Sequence, residues 1–190
     1  MKTFLRIAVG LIALVVIVLG VKQMSRGVHE MAGTGSPPPQ ELGETYTSVQ
    51  NGYSFRIPKG WQTKARPQPG MTMISAPQDS GLSSNMVTTV QPSDGSLRDY
   101  VELNKEELRK SVPDAKVLSD NAFVTDARVT AQKVKLQNKI NDIDLAQTMY
   151  FFDGPNRRKV IVTCTAPQKY GAQIESLCDD CMKTFAFAAR

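Results

Sequence analysis

The sequence predicts an α+β fold: a central antiparallel β-sheet flanked by two main α-helices, preceded by an N-terminal transmembrane helix. Three observations predict it. The chain opens on a long apolar run. From Thr45 onward, alternating segments recur between turn residues, the pattern of hairpin-linked strands. Two stretches, after Ser96 and after Pro167, switch to helical spacing. A chain of 190 residues holds one compact domain with appendages. The boundaries read as a signal anchor over 1–24, a Gly/Pro-rich linker over 25–43 and a folded domain over 44–190.

The opening segment is apolar without a break from Ile7 to Val21. Taken from Phe4 to Val21, with Arg6 close enough to one end to snorkel, it spans roughly 27 Å as a helix, against a hydrocarbon core of about 30 Å. A cleaved signal peptide, with Lys2 and Arg6 as its basic start, is one reading. A retained anchor is the other, and we expect it, because no A-x-A succeeds the run and the run is long for a signal peptide. No cysteine lies nearby to take a lipid. Lys22 and Arg26 balance Lys2 and Arg6, so flanking charge barely sets the orientation. A lone N-terminal span commonly exports the domain C-terminal to it. The expectation is therefore a single-pass inner-membrane protein that contacts the lipid bilayer through this helix and carries an extracytoplasmic, periplasmic domain.

The net charge of +5 raises the question of nucleic acid. Lys2, Arg6, Lys22 and Arg26 supply four of the 23 basic residues, and Glu30 one of the 18 acidic ones. That leaves the domain an excess of only two. No basic stripe interleaved with aromatics is present, so no nucleic-acid partner is expected. Between anchor and domain, Gly27, Gly33, Gly35 and Pro37-Pro38-Pro39 read as a flexible, then extended tether. His29, the only histidine, falls inside it.

The domain's elements come in this order. T-Y-T-S-V-Q, Asn51-Gly52 and Y-S-F-R-I-P read as a hairpin, with Asn-Gly supplying the positive φ angles of a tight turn. Trp61 then caps the core. M-T-M-I-S-A-P and N-M-V-T-T-V-Q-P read as two strands. A helix starts at the N-cap Ser96, with Asp99 three positions on and an apolar stripe of Leu97, Tyr100, Val101, Leu103 and Leu108. Pro113 lies beyond its end. A-K-V-L-S-D-N-A-F-V-T reads as a strand with a break near Asp120-Asn121. A-R-V-T-A-Q-K-V-K-L-Q and I-D-L-A-Q-T-M-Y-F-F flank the connection N-K-I-N-D. Asp153-Gly154-Pro155-Asn156 turns the chain into R-K-V-I-V-T-C-T-A, and a second helix comes after Pro167, trailed by Phe185 and Phe187.

This order resembles the PsbP/DcrB-like superfamily over about residues 44–188. The resemblance rests on N-G-Y-S-F-R-I-P-K-G-W, on the helix after V-T-T-V-Q-P-S-D-G-S-L, and on V-I-V-T-C-T-A-P with a last helix and T-F-A-F after it. It implies an α/β sandwich and, since its members mostly bind other proteins, a binding role. It carries over no catalytic residues. Its envelope branch resembles this chain more than its cytosolic chaperones do.

The chemistry-bearing residues are few. A histidine confined to the tether excludes a Ser–His or Cys–His pair in the domain. No dinucleotide fingerprint, phosphate loop or H-E-x-x-H occurs, so no cofactor and no metal are expected. Asn141-Asp142-Ile143-Asp144 lacks a calcium-loop pattern and reads as a turn. Met71, Met73, Met86 and Met149 read as core or groove lining, and Arg157-Arg158-Lys159 as a solvated edge. Cys178-Asp179-Asp180-Cys181 looks like a redox motif. It lies well inside the last helix, however, with two acidic residues between its cysteines, and both features raise thiol pKa. Ile174, Leu177, Cys178 and Cys181 instead share one buried stripe, with Asp179 and Asp180 pointing outward. Val160, Val162 and Cys164 share a strand face. If the two meet, Cys164 bridges Cys178, or alternatively Cys181, in an oxidising compartment. Three reduced, buried cysteines are the other outcome.

The expected function is that of a membrane-tethered extracytoplasmic protein-binding or envelope-assembly module without catalytic activity, its partner another envelope protein. The alternatives are a thiol–disulfide oxidoreductase using Cys178 and Cys181, or a cytosol-facing chaperone or adaptor.

Overall fold

The structure, a computed structural model, describes residues 41–65, 70–77, 84–112, 114–140 and 143–188. The predicted anchor from Phe4 to Val21, His29 and the linker up to residue 40 lie outside the described residues; the end of the predicted linker, Leu42 and Gly43, is already part of the first strand. Among the described residues, no helix is long and apolar enough to cross a membrane. In chain order the elements are β1 (Leu42–Ser48), β2 (Tyr53–Pro58), β3 (Gln62–Ala65), β4 (Met71–Ser75), β5 (Asn85–Pro92), α1 (Leu97–Ser111), β6 (Lys116–Val124), β7 (Thr130–Ile140), β8 (Ile143–Gly154), β9 (Arg158–Pro167), α2 (Gly171–Lys183) and β10 (Ala186–Phe187).

The sheet-rich α+β fold with two helices is as predicted, but the strands form two sheets. Seven run in the order β3-β4-β5-β9-β8-β7-β6 and three in the order β1-β2-β10. Every pairing is antiparallel. Tyr53, Phe55 and Ile57 alternate to one face of β2 and are each at most 2 % exposed. That face packs onto the large sheet, which is why β2 lies over it rather than extending it. The chain crosses from β5 to the far edge through α1, and β9 then fills the place beside β5.

Side chains alternate across β9 and sort the core into two layers. Val160, Val162, Cys164 and Ala166 join Tyr150, Phe152, Ile74 and Met86 under α2 and the small sheet. Ile161 joins Val134, Leu136, Met149 and Phe151 under α1. Each helix therefore covers one face of the seven-stranded sheet. Phe185, just past α2, bridges the two sheets: its ring stacks on Phe152 at 3.9 Å between centroids and on Tyr53 at 5.5 Å. All four strand methionines are buried: Met86 and Met149 in these layers, and Met71 and Met73 in a separate small cluster with Val87.

Helix α1 starts as read, with the Ser96 Oγ accepting the Asp99 N–H at 3.1 Å. Its buried stripe is Tyr100, Val101, Asn104 and Leu108, with Leu97 only half-buried at the helix start. Asn104 is 4 % exposed whereas Leu103 is half-buried; the Asn104 amide donates to the Tyr100 carbonyl at 2.8 Å, while its side-chain oxygen accepts no hydrogen bond among the described residues.

Other differences are local. The first hairpin turns through a 3-10 segment, Val49–Asn51, and only Gly52, at φ 66°, takes the left-handed conformation expected of both Asn51 and Gly52. Strand β6 runs unbroken through Asp120-Asn121; its irregularity is a bulge at Leu118, between the pairs Val117–Leu136 and Ser119–Lys135. Asp120 stays in the strand because its carboxylate accepts hydrogen bonds from Lys105, at 2.5 Å, and from Gln132. Asn138 to Ile140, expected in a connection, complete β7, and Gly154, expected in a turn, completes β8. Strands β3 and β10, of four and two residues, were too short to show a period.

Candidate functional site

The stripe Ile174, Leu177, Cys178 and Cys181 of α2 meets the Val160–Val162–Cys164 face of β9. There a disulfide joins Cys164 to Cys178, fourteen residues apart. Both cysteines are at most 1 % exposed. Cys181, one turn further along α2, is free and buried. Burial pushes its thiol up to about 12, and the adjacent Asp180 adds to the effect. The two sulfurs of the C-x-x-C stretch thus have different fates. One is locked to a strand, and the other is a shielded thiol with no thiolate to offer.

Asp179 departs from the expectation of an outward side chain. It turns toward the sheet, accepting from the Tyr150 hydroxyl at 2.6 Å and from the Lys133 ammonium at 2.7 Å. Glu175, one turn earlier, accepts from Lys133 at 2.8 Å and pairs with Lys135 at 2.7 Å. Burial acts to lower the Lys133 pKa, but hydrogen bonds to Asp179 and Glu175 outweigh it and raise it. Burial likewise acts to raise Glu175, and Lys133 and Lys135 outweigh it, so its carboxyl sits below the usual range. Tyr150 is raised, first by burial and then by Asp179. Two cations and two carboxylates balance here. The cluster clamps α2 to β7 and β8, and the sequence signal for it was the i,i+4 spacing of Glu175 and Asp179.

A cleft of about 570 Å³ opens between the β8–β9 turn, the β5–α1 connection and the segment after β10. Arg157-Arg158-Lys159, read as a solvated edge, divides here. Arg157 and Arg158 are exposed, but the Lys159 side chain is only 3 % exposed and its ammonium donates to Asp153 at 2.6 Å. Arg157 faces Asp94 at 3.3 Å, and its backbone is left-handed at φ 55°, with its carbonyl accepting the Ser93 N–H at 2.8 Å. Phe187 lines the same cleft, and neither cysteine nor histidine does. An aromatic ring beside two opposed ion pairs suits recognition of a peptide or protein loop rather than bond-breaking chemistry. On the sheet face under α1, the Asn138 amide donates to Gln147, and Gln147 donates to Thr165, forming an uncharged ladder across three strands. Among the described residues, no group of three potential ligands could hold a metal ion.

A seven-stranded antiparallel sheet with one helix on each face and a small sheet over one of them defines a PsbP/DcrB-like sandwich. Solved structures agree on the fold. Cyanobacterial PsbP (CyanoP) from Synechocystis sp. PCC 6803 superposes with a TM-score of 0.58 at 15 % identity, covering 83 % of this chain and 97 % of that one. LpqN of Mycobacterium tuberculosis, described as involved in cell envelope biogenesis, gives 0.57 at 12 % identity over 82 % and 87 %. PA94 of Pseudomonas aeruginosa, of unknown function, gives 0.56 at 19 % identity over 78 % and 99 %. More particularly, the chain belongs to the DcrB family, whose profile matches residues 53–184. No protein of curated function matches it.

Proposed function

We propose that this protein is a non-catalytic binding or assembly module of the cell envelope, held to the inner membrane by its first 24 residues and exposing its domain on the extracytoplasmic side. The observation that carries the reading is the Cys164–Cys178 bridge in the core, since structural disulfides belong to oxidising compartments. Membership of the DcrB family and the likeness to an envelope-biogenesis protein support the compartment. The shielded Cys181 thiol and the absence of cysteine and histidine from the cleft support a role in recognition rather than catalysis. The partner reads as another envelope protein, engaged through the cleft around Arg157 and Phe187.

Protease added to intact spheroplasts tests the location: the domain is expected to be digested, and its survival would place it in the cytosol. A photocrosslinking residue at position 157 of the full-length protein tests the surface. A discrete adduct with an envelope protein is expected, and an adduct pattern no different from one at exposed Lys64 would refute the cleft.

A further inference from the structure

Helix α1 covers only part of its side of the seven-stranded sheet. Its buried side chains rest on Val134, Leu136, Met149, Phe151 and Ile161. Beyond them, toward the end of the sheet that carries Asn85, Met71, Met73 and Val87 form a cluster that no residue of α1 joins. By register and alternation, Asn85, Thr89, Thr163 and Asn138 share this face. All seven residues are at most 7 % exposed. Yet α2 and the small sheet pack on the opposite face, so no described helix or strand lies over them. The side-chain oxygens of Asn85, Thr89, Thr163 and Asn138 have no hydrogen-bond partner among the described residues. Such oxygens in one dry patch are costly unless something with donors lies across them. Because the patch is dry in a single chain, that chain supplies its own cover.

We propose that the tether, residues 25–40, lies across this patch as an extended strap. The chain enters the domain in the right place. The Glu41 carbonyl accepts the Lys59 N–H at 2.8 Å, and three residues later Gln62 opens β3, opposite Ser75, which pairs with Asn85. The four-residue β3 is the edge to be rounded. Sixteen residues reach roughly 53 Å when extended. From β3 to β7 the sheet is only about 24 Å wide, at about 4.8 Å per strand. The internal stretches outside the described residues, 66–69, 78–83 and 141–142, have six residues at most and join strand ends, too few to cross from β4 to β7. Chemistry selects the tether over the apolar run before it. Gly33, Thr34, Gly35 and Ser36 bring free backbone N–H donors to the orphaned oxygens. A helix over Phe4–Val21 would spend its own on itself. On the membrane-anchored reading above, a docked strap holds the domain close to the lipid surface; the strap itself needs no anchor.

The test uses the full-length protein in detergent, so its outcome does not depend on where the domain resides in the cell. A photoreactive residue in place of Thr34 is expected to give adducts within one chain, at any dilution, on β5 or β9. The same probe in place of Ala13 is expected to mark no part of the domain. Position 34 marking only other surfaces, only a second chain or nothing overturns the proposal, as does Ala13 marking β5 and β9. Peroxide footprinting reads the same contact without a probe. Gly33→Glu with Gly35→Glu would set charges over the dry patch, and so releases the strap. Oxidation of Met71 and Met73 is then expected to quicken severalfold, while Met86, on the opposite face, keeps its rate. Unchanged rates at Met71 and Met73 overturn the strap. So does a rise shared equally by Met86, because the loosening would then belong to the whole fold.

Discussion

The Tyr150 hydroxyl donates to Asp179 at 2.6 Å, joining the middle of β8 to a helix 29 residues further along the chain. Tyr150 is 0 % exposed, so this hydroxyl has no water to turn to if Asp179 is lost. Tyr150→Phe is expected to lower stability by about 1.5–3 kcal/mol, the range for a hydrogen bond to a charged group. Chemical denaturation of both proteins measures it, and an unchanged midpoint would refute the clamp.

The same bond sets the alkaline limit. The folded Tyr150 pKa is raised above its ordinary 10.0 by burial and by Asp179. A raised pKa means that its contribution is complete below pH 10 and is lost as pH climbs beyond it. Tyr53, also raised by burial, acts in the same direction. The tyrosinate absorbance of Tyr53 and Tyr150 is expected to appear together with loss of structure, rather than ahead of it. Glu175 acts at the other end: its lowered pKa gives stability that is complete above about 4.5 and fades as pH falls through the folded value. Glu175→Gln is expected to flatten the acid limb of the stability curve.

Replacing both bridged cysteines by alanine is expected to cost about 3 kcal/mol, the chain-entropy value for a loop of this size. Alkylation of the unfolded, unreduced protein is expected to find one thiol, from Cys181, and after reduction all three cysteines. Three thiols without reduction would show that the bridge does not form.

Gly171 opens α2 against β8, and a Cβ there would lie 2.7 Å from the Ala146 Cβ. Gly171→Ala is expected to destabilise by about 1–3 kcal/mol through overpacking. Adding Ala146→Gly to the same chain is expected to recover part of that loss. Additive effects in the double-mutant cycle would show that the two positions do not touch.

Phe185→Ala is expected to cost about 3–5 kcal/mol, the range for an aromatic removed from a core. Because the ring stacks on Phe152 of one sheet and Tyr53 of the other, both sheets are expected to loosen together. Amide exchange that rises only in the small sheet would argue against this coupling.

The sequence disclosed most of these elements because their signals are local. Ser96 with Asp99 marks a helix start, and the alternation of Tyr53, Phe55 and Ile57 marks a strand. What it hid depends on long-range pairing. The split into two sheets needs β2 to pack on a face rather than join an edge, which its own alternation cannot say. The continuity of β6 through Asp120 rests on Lys105 and Gln132, residues from two other elements. The burial of Lys159 rests on Asp153 across a hairpin. Asp179 was misplaced for a related reason: helical spacing set it beside the apolar stripe, and only the position of Tyr150 and Lys133 turns it inward.

Strand β10 pairs with β2 through Ala186–Ser54 and Phe187–Tyr53, and the Ala188 N–H closes on the Gly52 carbonyl. A segment made among the first of the domain is thus completed by residues made among the domain's last. During synthesis, β2 stays open on that side until these residues emerge, and only then does the small sheet seal. A chain cut short before Ala186 is therefore expected to leave that seam of β2 unzipped even with both helices in place.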